Sequence, residues 1–145
     1  MHLYRKNRKI YDRRNKADKT TLGSACPFPF CDQNNTQEVL TQNKTMYVIA
    51  NRVSYDIFEG CPVLDHLMVI PKRHVETLND FTDQEKIDHM TIAGNYERQG
   101  YGVYARGVES VTRSVKHQHT HLIKLSGSLP KGILYLKKPY FLMHI

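Results

Sequence analysis

From Val115 to Leu125 the chain reads Val-Lys-His-Gln-His-Thr-His-Leu-Ile-Lys-Leu, with three of its eight histidines at every second position and an alternating run behind them. Strict alternation predicts a β-strand, whose alternate side chains share a face and recur about every 6.5 to 7 Å. His117, His119 and His121 would then form one imidazole row. A purification tag would be contiguous and terminal, and this run is neither. Two histidines at this spacing can share a zinc ion, but the outer pair would lie roughly 13 Å apart, too far for one ion with bonds of about 2 Å to hold all three. A solvated polar strand is the remaining bland explanation.

The chain's 145 residues, 40% of them hydrophobic, suit one domain with a single core. A formal charge of +7 points to an anionic partner: a nucleotide, a nucleic acid or a membrane surface. Nearly all of the excess sits in residues 1–20, where Arg5, Lys6, Arg8, Lys9, Arg13, Arg14, Lys16 and Lys19 face only Asp12 and Asp18. This predicts a flexible basic arm, either solvated or set to touch nucleic-acid phosphates, with organelle targeting as a further reading. No secretory apolar region and no run near the ~20 residues of a membrane span is visible, so the expectation is a cytoplasmic protein with no membrane partner.

Residues 21–145 make up the expected domain. Cys26-Pro27-Phe28-Pro29-Phe30-Cys31, with Cys61 as an odd third cysteine, reads as thiols rather than a disulfide framework. A stiff turn carrying two thiolates can supply half of a tetrahedral zinc site. Strands are expected from Thr45 to Val53, from His66 to Ile70 with Pro71 as the stop, and from Tyr101 to Ala105. Ser54 to Asp65 and Gly107 to Arg113 read as loops. Thr82-Asp83-Gln84-Glu85 is a capping-box pattern that predicts a helix to about Gln99, with Ile87, Met90, Ala93 and Glu97 as its stripe. After a Gly/Ser/Pro connection, the apolar segment Ile133 to Ile145 is expected to pack on the core or on a second subunit. Strands flanking one main helix predict an α+β domain on an antiparallel sheet.

The pattern Ser114-x-x-His117-x-His119-x-His121-Leu122-Ile123, preceded by His66-Leu-Met-Val-Ile-Pro-Lys-Arg-His74, resembles the histidine triad (HIT) family of nucleotide hydrolases and transferases. The likeness runs from about Cys26 to Leu125. It implies that His119 attacks the α-phosphorus of a nucleotide and forms a covalent nucleotidyl-histidine that water cleaves. A neutral imidazole, with an ordinary pKa of about 6.5, suits that task. By the same resemblance His121 contacts phosphate oxygens, His117 orders the row, His66 is a fourth histidine orienting the site, and Ser114 bonds near the leaving group. His121 stands where the uridylyltransferase branch has glutamine, which favours water as acceptor. The implied substrate is a nucleoside phosphoramidate or a dinucleoside polyphosphate, no organic cofactor is expected, and a homodimer is implied.

Departures from the family pattern are informative. Gln118 and Thr120 replace the usual apolar residues between the histidines, Arg113 replaces an amide before the serine, and Arg106 falls where an asparagine commonly lies. Two arginines could clamp anionic oxygens by bidentate hydrogen bonds, which hints at a more highly charged substrate such as a dinucleoside polyphosphate, with solvated surface arginines as the alternative. Asn51 is the candidate ribose contact, with Tyr47, Ile49 and Ile57 as walls of a base pocket. Zinc-carrying relatives imply a structural zinc on Cys26, Cys31, His74 and His117, although the family usually separates the two cysteines by two residues rather than four. Two alternatives stand beside the hydrolase: an enzyme that removes adenylate from nucleic-acid ends with the basic arm as grip, and a nucleotide-binding protein without significant turnover.

Overall fold

The computed structural model of the chain describes residues 3–4, 38–113 and 115–127. Seven strands and one main helix follow in order: β1 (Leu3–Tyr4), β2 (Val39–Gln42), β3 (Met46–Ala50), β4 (Ile57–Phe58), β5 (Cys61–Pro71), α1 (Asp83–Glu97), β6 (Tyr101–Ala105) and β7 (Thr120–Leu125). A short 3₁₀ turn, Leu78–Asp80, leads into the helix. Every pairing is antiparallel, and the main sheet runs β2-β3-β5-β7-β6, so the fold is the expected α+β domain.

The central strand is β5, whose 11 residues exceed the five expected at both ends. Its far half pairs with β3 and β7, and its first residues pair with β4. The segment expected as a loop therefore contains a hairpin. Glu59 and Gly60 both have positive φ, at 53° and 81°, which is the backbone a two-residue turn needs to match strand twist. Glycine adopts it at no cost, whereas glutamate in that position conceals the turn from a sequence reading. Pro71 is the last residue of β5 rather than a stop before it. Its missing N–H costs little there, and its carbonyl has a use described below.

Alternation along the strands sorts two faces. Met46, Val48, Leu67, Val69 and Leu122 pack with Val75, Phe81 and Ile92 into the core between sheet and helix. On the other face lie Ile49, Met68 and Ile70 with Tyr47 against them, and beside these Tyr55, Phe58 and Ile123. Strand alternation puts His66 and His121 on this second face.

The capping box at Thr82 and Glu85 is present, with both reciprocal bonds. The buried face of the helix differs from the expected stripe. Ile87 and Met90 are 61% and 66% exposed, while Glu85, Asp88, His89, Ile92 and Ala93 are buried. Each buried polar group has a partner from the sheet side of the molecule. Asp88 accepts from the Thr45 backbone N–H and hydroxyl at 3.1 and 2.7 Å, Glu85 binds Arg73 at 2.7 Å, and His89 Nε2 lies 2.9 Å from Thr120 Oγ1. Hydrophobic periodicity is blind to burial that is offset by hydrogen bonds.

At the N-terminus Leu3 and Tyr4 pair with Phe58 and Ile57, so the beginning of the basic arm reaches the sheet. The rest of the arm, the cysteine pair, Ser114 and the C-terminal apolar segment lie outside the described residues. Among the described residues no helix is long and apolar enough to cross a membrane.

Candidate active site

His66 on β5 and His121 on β7 sit on adjacent strands, His66 opposite Ile123 and His121 opposite Met68. The offset brings His66 Nε2 within 2.9 Å of His121 Nδ1. The backbone N–H of Tyr55 points at His66 Nδ1 from 3.2 Å. An amide N–H can only donate, so in the neutral rings His66 accepts at Nδ1, donates from Nε2 to His121 Nδ1, and leaves the His121 proton on Nε2. One backbone amide thus sets two tautomers.

Asn51 reinforces His66. Its Oδ1 accepts from the Val53 N–H at 3.0 Å, which fixes the amide, and its nitrogen lies 3.0 and 3.4 Å from the two ring nitrogens of His66. Near-equal distances place that nitrogen across the ring rather than in line with one lone pair. The expected ribose contact is therefore found against a histidine.

The row predicted for His117, His119 and His121 is not formed. β7 begins only at Thr120, and residues 115–119 are irregular chain leading into it. The reason lies in the contacts of the entry segment: the Gln118 N–H donates to the Val75 carbonyl at 2.7 Å, outside the β5–β7 ladder. His117 turns its Nε2 to the Pro71 carbonyl at 3.0 Å and its ring edge to His74, with centroids 4.9 Å apart. His119 Nδ1 donates to the His117 carbonyl at 2.9 Å, and its ring meets His121 edge-on at 5.1 Å. A carbonyl can only accept, so neutral His119 carries its lone pair on Nε2.

Burial lowers the basicity of both residues. His117 is pushed down to about 4, mainly by desolvation, with the Pro71 hydrogen bond opposing. His119 lies below the usual histidine value, first through burial, against the bond to the His117 carbonyl, and further through the positive charges of Arg113 and Arg106. Both rings are neutral near pH 7. His119 has the protonation state a nitrogen nucleophile requires.

Arg106 and Arg113 frame this cluster. Arg106 donates to the Tyr55 hydroxyl at 2.6 Å and to the Thr112 carbonyl. Arg113 donates to the carbonyls of Val115, Glu76 and Lys116. Tyr55 and Tyr104 flank His121, with ring centroids 5.7 and 6.0 Å away. Sequence reasoning misses these tyrosines and the Thr120–His89 link. Tyr104 falls on its expected strand, but nothing in the pattern aims it at a histidine, and Tyr55 falls in the segment expected as loop.

Of the four residues expected to hold zinc, His74 and His117 are among the described residues. His74 and His117 approach closely enough for two imidazoles to share an ion, and with Nε2 donating to Pro71 the His117 lone pair is on Nδ1. Among the described residues no cluster of three or more His, Cys, Asp or Glu gathers for a metal. Cys61 is a buried, unbridged thiol beside β4 and is not part of this pair.

The sequence model of the HIT domain matches residues 33–127. No curated protein matched the chain. Among solved structures, one described as a Hit-like protein is 14% identical with a TM-score of 0.50, over 62% of this chain and 87% of the other. A HIT family hydrolase from Clostridium thermocellum is 15% identical with a TM-score of 0.47, over 66% and 84%. A histidine triad nucleotide-binding protein from Candida albicans is 17% identical with a TM-score of 0.47, over 68% and 77%.

Proposed function

The chain belongs to the HIT domain family, and from that premise we propose that it is a nucleotide hydrolase acting through His119. The observation that carries this reading is the hydrogen bond from His119 Nδ1 to the His117 carbonyl, which leaves a neutral imidazole with its lone pair on Nε2. In the proposed reaction Nε2 attacks the α-phosphorus, an N–P bond forms, and the bond to the leaving group breaks with its electron pair. Water then attacks phosphorus, the N–P bond breaks with its electron pair returning to Nε2, one proton of the water passes to solvent, and a nucleoside monophosphate and neutral His119 result. His121 Nε2–H would donate to a nonbridging oxygen as negative charge grows there, a form of preorganised electrostatic stabilisation. His66 keeps that proton in place, Tyr55 and Asn51 hold His66, and His117 positions His119. Ser114 is proposed near the leaving group. Tyr47, Ile49 and Ile57 are proposed as apolar walls for the nucleoside.

The test is mass detection of a nucleotidyl adduct during turnover of a labelled phosphoramidate or dinucleoside polyphosphate. His119→Ala is expected to lose both adduct and turnover; a fully active variant ends the proposal. Tight nucleotide binding without turnover in the unaltered protein would favour the binding-protein alternative.

We further propose a zinc ion on Cys26, Cys31, His74 and His117, which when bound would tie the N-terminal segment to the entry of β7. Metal analysis of protein purified without chelator checks it, with His74→Ala expected to lower the zinc content. A homodimer is proposed on the exposure of Ile87, Met90 and Val103, the last 46% exposed on the outer strand β6. Met90→Lys is expected to shift the sedimentation profile toward monomer.

A further inference from the structure

Arg106 is only 8% exposed, yet among the described residues every acceptor it reaches is neutral: the Tyr55 hydroxyl and the Thr112 carbonyl. Among the described residues its Nε is buried without a hydrogen-bond partner, as is one terminal nitrogen of Arg113, whose remaining bonds there also go to carbonyls. Among the described residues neither arginine has a carboxylate within ion-pair distance. The chain does pair such charges where they serve structure, since Arg73 takes Glu85 at 2.7 Å. A guanidinium cannot shed its proton, so burial without a counter-ion is costly.

Both charges bear on the histidine cluster. The Arg106 guanidinium carbon lies 5.9 and 6.0 Å from the rings of Tyr55 and Tyr104, the two rings that flank His121. Arg113 binds the carbonyls of Val115 and Lys116 immediately before His117, the residue whose own carbonyl holds His119.

We propose that Arg106 and Arg113 are specificity-determining residues that adapt the site to a leaving group carrying its own phosphates. Resting on the hydrolase reading above, this makes a dinucleoside polyphosphate or nucleoside polyphosphate the preferred substrate class over a phosphoramidate. The chemistry separates the two. When a P–O bond to a polyphosphate breaks, the electron pair stays on the departing oxygen, and the growing anion is stabilised by two fixed positive charges. When a P–N bond breaks, the departing nitrogen must take up a proton, and a nitrogen gaining positive charge is repelled by the same two groups. Guanidinium charge that has no carboxylate partner among the described residues helps the first reaction and hinders the second.

The experiment compares kcat/KM for a dinucleoside polyphosphate and a phosphoramidate of the same nucleoside, in the full-length protein, Arg106→Gln, Arg106→Lys and Arg113→Gln, with calorimetric binding of inorganic tripolyphosphate to each. The readout is the ratio of the two kcat/KM values, because general damage to the fold lowers both together. Each glutamine variant is expected to reduce the ratio by about ten- to a hundredfold and to weaken tripolyphosphate binding, with Arg106→Lys retaining most of the ratio. An unchanged ratio in Arg113→Gln and Arg106→Gln overturns the inference; should Arg106→Gln fail to fold, Arg113→Gln decides it. Arginine-dependent tripolyphosphate binding without turnover of either nucleotide would support the anion subsite and sink the hydrolase reading alone. Phosphoramidate turnover without tripolyphosphate binding would do the reverse.

Discussion

Three imidazoles here take their orientation from main-chain atoms: His66 from the Tyr55 amide, His117 from the Pro71 carbonyl and His119 from the His117 carbonyl. Side chains that touch the cluster can therefore be altered without removing these particular bonds. Tyr55→Phe keeps the amide and the ring against His66 but deletes the acceptor of a buried Arg106 nitrogen. It is expected to cost about 1–3 kcal/mol in denaturant unfolding, the range for stranding a buried donor, and to leave the His66–His121 pair intact in NMR spectra of the ring nitrogens. The residue types of the site are legible from spacing, because histidines at positions 66, 117, 119 and 121 in that order carry a family resemblance. Their directions are not. Whether His117 and His119 lie on a strand depends on Val75 accepting from Gln118, a contact 43 positions away in sequence that no local pattern encodes.

The helix α1 is held at its start by Glu85, whose carboxyl is drawn down to about 2, chiefly by the Arg73 hydrogen bond, against burial and aided by Thr82. A depressed carboxyl stabilises the folded state fully above the ordinary carboxylate range, and the benefit is lost as pH falls through about 2. The stability gap between the protein and Glu85→Gln, measured by urea unfolding, is expected to be widest above about pH 5 and to close toward about pH 2; half-exposed Arg73 leaves part of it open to salt screening. Deeper in, Thr120→Val strands His89 beneath β7 and is expected to cost about 1–3 kcal/mol, while the double variant Thr120→Val/His89→Leu should cost less than the sum of the two single changes. Helix boundaries are readable because a capping box is local chemistry. The buried face is not, since Glu85, Asp88 and His89 are compatible with the interior only through Arg73, Thr45 and Thr120, which arrive from elsewhere in the chain.

For the molecule as a whole, the antiparallel sheet with one helix follows from the order of strand-like and helix-like segments, and β6 occupies Tyr101–Ala105 as its residue pattern predicts. The β4–β5 hairpin escapes a sequence reading because its turn uses Glu59 in a glycine-like conformation. The basic arm bears on the choice between small nucleotides and nucleic-acid ends. Replacing Arg13, Arg14, Lys16 and Lys19 with glutamine, which spares Leu3 and Tyr4, is expected to leave small-nucleotide turnover unchanged. If the end-processing alternative holds, the same change flattens the salt dependence of nucleic-acid binding, by roughly one unit of slope for each phosphate that is no longer neutralised. The main-chain anchoring of the imidazoles has a consequence for how such a chain can drift. A hydrogen bond to a carbonyl or an amide does not depend on which side chain that residue bears. The bonds from the Tyr55 amide and the Pro71 carbonyl are therefore inherited through the path of the backbone, whereas the contacts of the Tyr55 ring and hydroxyl and of Asn51 remain tied to the residues that make them.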